Sequence, residues 1–117
     1  MLKTILIILT LGQGGAMQLA LTETDSLEDC MARADVVGQI LSGAGEQIEA
    51  MRCGETDLAV SPYEHGHGPE DLKWHYLVSV KGTSLEDGFD IRPVEAGHCD
   101  ASAGKVCAIS AQRPLPQ

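Results

Sequence analysis

Hydrophobic positions follow three different rhythms along this chain. From Ile5 to Leu11 they run unbroken except for Thr10. From Leu27 to Leu41 they recur at spacings of three and four. From Trp74 to Lys81 they alternate. Each rhythm predicts a different element, because side chains on one face recur every 3.6 residues in a helix and every second residue in a strand.

The first run follows Lys3 and gives way to Gly12, Gly14, Gly15 and Ala16. A basic start, a short apolar stretch and a small-residue tail form the layout of a secretory signal peptide. A bilayer span needs about 20 apolar residues, so no stable membrane anchor is expected. Residues 1–20 are read as a leader, cut after Ala16 or after Ala20. Residues 21–117 are read as a single small exported domain. The expected destination is the periplasm, with the extracellular space as the alternative.

The second rhythm predicts a helix opening at Ser26. Glu28 and Asp29 lie where the positive end of the helix dipole favours acids. Leu27, Cys30, Met31, Ala34, Val37 and Leu41 make one apolar stripe, flanked by Val36 and Ile40. Gly43 and Gly45 end it. The third rhythm predicts a strand at 74–81, with Trp74, Tyr76, Val78 and Val80 on the side assigned to the helix. Weaker strand patterns cover 47–53, 89–94 and 105–111. Pro93 argues for an edge or a strand end. Residues 61–71 read as a loop, and 113–117 as a tail that does not pair. The fold class implied is α+β: one N-terminal helix packed on a small, mainly antiparallel sheet of three to four strands, stapled by disulfides.

The four cysteines, Cys30, Cys53, Cys99 and Cys107, allow three pairings. Eleven helical steps from Cys30 to Leu41 span roughly 16 Å. Six extended steps from Gln47 to Cys53 span roughly 20 Å. An antiparallel return therefore brings Cys30 level with Cys53. Cys99 and Cys107 close a short turn. Pairing of Cys30 with Cys99 or Cys107 is the alternative. Neither preferred pair has the two-residue spacing of redox or zinc sites. Each bridge stabilises by about 2.5–3.5 kcal/mol in the chain-entropy picture.

Charge narrows the partners. Seventeen acidic residues against eight basic ones give a net charge of −9 with histidine neutral. Such a surface repels nucleic acid and anionic lipid, and favours a basic protein partner. One constellation carries metal chemistry. His65 and His67 flank Gly66, so an extended loop points both imidazoles the same way. Glu64, Glu70 or Asp71 would add an oxygen ligand, a mixture suited to Zn²⁺ or Cu²⁺. His75 and His98 are further candidates.

No serine lies in a Gly-X-Ser-X-Gly context, and no phosphate-cradling glycine loop is present. The reading is a small exported, non-enzymatic binding or interaction protein of unknown ligand, without a cofactor. The alternative is a periplasmic metal-binding protein using the His65-Gly66-His67 loop.

Overall fold

The computed structural model describes residues 2–12, 15–62, 72–99 and 104–115. Six strands and one helix follow in the order β1 (Lys3–Leu11), β2 (Met17–Thr24), α1 (Leu27–Gly43), β3 (Gln47–Thr56), β4 (Trp74–Val80), β5 (Phe89–Val94) and β6 (Lys105–Ser110). A 3₁₀ turn, Leu85–Asp87, lies between β4 and β5. The strands form one sheet in the spatial order β3-β1-β2-β6-β4-β5. All ladders are antiparallel except β2 with β6, which meet in parallel through the pair Gln18 and Ile109.

The expected sheet of three to four mainly antiparallel strands is therefore corrected. The sheet has six strands, it is mixed, and it curls. Its extra strands come from residues 3–24, the segment that includes the leader-like run. Five consecutive residues, Ile5 to Leu9, are buried. An unbroken apolar run of this length suits a strand covered on both faces. Each such side chain contributes about 1.5–3 kcal/mol on burial, so β1 is a large fraction of the core. The hairpin to β2 closes where the Gly12 N–H donates to the Ala16 carbonyl at 2.8 Å.

Curling separates two cores. The inner one holds Ile5, Ile7 and Leu9 of β1, Leu19 and Leu21 of β2, Tyr76 and Val78 of β4, Phe89 and Ala108. The outer one holds Leu6 and Ile8 with Cys30, Ala34 and Cys53. Helix α1 thus packs outside, against β1 and β3. The Trp74, Tyr76, Val78 and Val80 face packs into the inner core and not against the helix, because the amino-terminal strands already occupy the helix's side of the molecule.

Strands β3 and β5, at opposite ends of the strand order, approach one another across the curl. A side chain at Gly54 would lie 3.1 Å from the Phe89 ring, so glycine permits the close approach. Arg52 closes the same seam, donating from Nε to the Lys81 carbonyl at 3.0 Å and from Nη2 to the Gly82 carbonyl at 2.9 Å.

Local signals explain the helix ends. The Ser26 hydroxyl accepts from the Asp29 N–H at 3.0 Å, satisfying one of the free donors of the first turn. At the other end Gly45 takes a positive φ, and the Glu46 N–H returns to the Leu41 carbonyl at 3.0 Å, a glycine-dependent stop. Cys30–Cys53 ties α1 to β3, and Cys99–Cys107 ties the turn after β5 to β6, with Cα separations of 6.1 and 6.0 Å. The tail, expected not to pair, does pair. The Ser61 N–H donates to the Arg113 carbonyl, and the Leu115 N–H donates to the Ala59 carbonyl, each at 2.9 Å. Pro114 itself lacks an N–H, but its neighbours supply the bonds.

Candidate functional site

Helix α1 carries more apolar surface than it buries. Cys30 and Ala34 are fully covered, while Val37 and Leu41 are half-buried. Val36 and Ile40 remain 56% and 64% exposed. Side chains four apart lie on the same face of a helix, so Val36 and Ile40 form one apolar edge. Leu27 and Met31 form another, also exposed.

Ile40 borders a groove of about 890 Å³. One wall is α1, through Arg33, Val37, Ile40 and Leu41. Residues of β1 and β2 line it, among them Ile8, Thr10, Ala20 and Thr22. The segment 58–62 and the pair Ala111 and Gln112 complete the lining. Lys3, Glu23 and Glu46 add charge. A volume in this range accommodates a peptide segment or a small organic ligand.

The margin of the groove at β2 is built by Gln112, which is 2% exposed. Beyond Gln18, β2 has no strand on its outer side among the described residues. The Gln112 carboxamide takes that place. Its Oε1 accepts from the Leu21 N–H at 2.8 Å, and its Nε2 donates to the Leu21 carbonyl at 2.9 Å and to the Ser61 carbonyl at 3.0 Å. The backbone of Gln112 is held in turn. Its N–H donates to the Ser110 hydroxyl at 3.1 Å, and its carbonyl accepts from the Tyr76 hydroxyl at 2.7 Å. Burial pushes the Tyr76 phenol up from 10.0 to about 12, because the low-dielectric interior disfavours phenolate. The network is fully satisfied, which makes it rigid.

Of the two cations that line the groove, Lys3 and Arg33, Lys3 sits 3.9 Å from Glu23. Outside the lining, Lys81 sits 3.4 Å from Asp90, and Arg52 donates to backbone carbonyls. Acidic residues outnumber basic ones seventeen to eight along the chain.

Of the residues singled out for metal binding, His65, His67, Glu64, Glu70 and Asp71 lie outside the described residues. His75 sits on β4, paired across to Val94 and Ile109. His98 is exposed in the turn after β5, with its N–H on the Glu95 carbonyl. Among the described residues no group of three or more histidine, cysteine or acidic side chains is arranged to hold an ion. All four cysteines are in disulfides.

Sequence reasoning does not find the groove. It is assembled from segments far apart in the chain, and the Gln112 clamp spans 91 positions. The only local signal is an apolar helical stripe broader than one contact face needs. Comparison of the chain with protein-family models, with curated proteins and with solved structures finds no match.

Proposed function

We propose that this chain acts by binding, taking an apolar segment with basic flanks from a protein partner into the groove beside α1. The observation that carries this reading is the exposure of Ile40 at the rim of the groove, continued one turn back along α1 by exposed Val36, in a strongly acidic molecule. An apolar edge against a groove is a common mark of a docking surface. The acidic excess, with Glu46 at the groove itself, would attract lysine and arginine on the partner and speed encounter. The disulfides support an oxidising compartment as the place of action. Among the described residues no helix is long and apolar enough to cross a membrane. The periplasm is the compartment proposed.

The test is titration of the full chain with a fluorescent peptide of six leucine and valine residues flanked by lysines, and with the same peptide flanked by glutamates. The lysine peptide should bind, and its affinity should fall at least about tenfold from low to physiological ionic strength. Val36→Asn combined with Ile40→Asn should weaken it by a similar factor while lowering the melting temperature by no more than about 8 °C. Equal affinity for both peptides, or indifference to the double substitution, overturns the reading.

A further inference from the structure

We infer that residues 3–20 stay in the working protein, as an interior strand of its sheet, between β3 and β2, and as part of that strand's hairpin partner. This inference rests on the sheet alone and not on the binding reading.

Three observations carry it. The first is register. Strand β1 is paired along its length on both sides, from Thr4 opposite Thr24 to Leu11 opposite Met17, and from Lys3 opposite Thr56 to Leu11 opposite Gln47. The second is two-faced burial. Ile5, Ile7 and Leu9 enter the inner core, while Leu6 and Ile8 enter the outer one with Cys30, Ala34 and Cys53. A dispensable leader fills neither. The third is connectivity. Among the described residues β1 is the only strand laddered to β3. A cut after Ala16 strips β3 of that neighbour and leaves it without a strand ladder, held by the Cys30–Cys53 bridge and by the seam to β5. A cut after Ala20 also removes Gln18, the β2 residue that joins β6.

Both cleavage points lie inside the hairpin. The Ala16 carbonyl holds the Gly12 N–H, and Ala20 sits opposite Ile8. A peptidase needs an extended, unpaired stretch, so the folded chain withholds the bond after Ala20. Folding consumes the apolar run, and the same residues are then unavailable to a bilayer.

The decisive measurement is mass spectrometry of the chain recovered from its own host. After reduction and trypsin, the peptide covering residues 4–33 should appear in the same abundance as the peptide covering residues 34–52. A chain beginning at Met17 or Leu21 overturns the inference. Hydrogen exchange on the intact chain gives an independent reading. The amides of Ile5 to Leu9 should exchange at least about a thousandfold more slowly than those of exposed turns, and free-peptide rates there overturn it. A chain of residues 21–117 should lose cooperative melting and show reactive thiols. If it melts cooperatively with both bridges closed, the strand is dispensable and the inference fails. Failure of the peptide titration above would leave all three results unchanged.

Discussion

The amino-terminal strand and helix α1 are both rich in apolar residues, and the fold treats them in opposite ways. Strand β1 is covered on both faces, with no apolar side chain from Ile5 to Leu9 left in water. Helix α1 covers one narrow stripe around Cys30 and Ala34 and leaves Leu27, Met31, Val36 and Ile40 exposed. The continuous apolar run here marks a strand buried on both faces. A broad helical stripe marks a segment with surface to spare. Buried apolar surface is therefore concentrated in β1, and exposed apolar surface on α1.

The sharpest way to break this contrast is to make one substitution in both places. Ile7→Asn puts an unpaired carboxamide and a void in the inner core. It should cost at least about 4 kcal/mol, enough to unfold the chain or nearly so. Ile40→Asn should cost about 0.5 kcal/mol or less. Circular dichroism melts of the two variants decide the matter, and comparable losses would dissolve the distinction.

The helix should depend on its bridge more than on its packing. Replacing Cys30 and Cys53 together by alanine should cost about 3 kcal/mol, read from the denaturant midpoint. Part of that loss should appear as fraying of α1, because only Ala34 would remain fully buried on its inner stripe. A smaller effect is expected at the far margin of the hairpin. Gln112→Ala leaves the Leu21 N–H and carbonyl without their partner and should cost about 2 kcal/mol. Tyr76→Phe should cost about 1 kcal/mol at neutral pH by removing the hydroxyl from the Gln112 carbonyl. It should also change the alkaline limb. The phenol is raised in the fold from 10.0 to about 12, so the neutral form is favoured there. Its contribution is fully present below about pH 10 and is lost as pH rises towards 12. The variant should lack that loss, which melts between pH 9 and 12 would show.

Much of this architecture is legible residue by residue. Ser26 and Gly45 mark the helix ends because a hydroxyl cap and a positive φ are local requirements. Alternation from Trp74 to Val80 marks β4. Segment lengths bring Cys30 level with Cys53, and a short turn joins Cys99 to Cys107. The role of residues 3–11 is not legible in the same way. An unbroken apolar run has no period, and a leader and a doubly buried strand call for the same side chains. Missing β1 also displaces the helix, since alternation in β4 shows that two faces exist but not what each one meets. Arg113 and Leu115 read as a tail because of the prolines around them, yet the bonds they make to Ala59 and Ser61 use groups proline does not remove. Gln112 gives no sequence signal at all, since its meaning depends on Leu21.

That glutamine has a consequence for how copies of the chain meet. An open strand margin is a template on which a second polypeptide can lengthen the sheet, and repeated addition leads to fibres. At β2 one carboxamide fills both the donor and the acceptor position of Leu21. A single side chain thus caps the margin as a neighbouring strand would, without offering a further margin of its own. Removing it should make the chain more prone to self-assembly at high concentration than its loss of stability alone would explain.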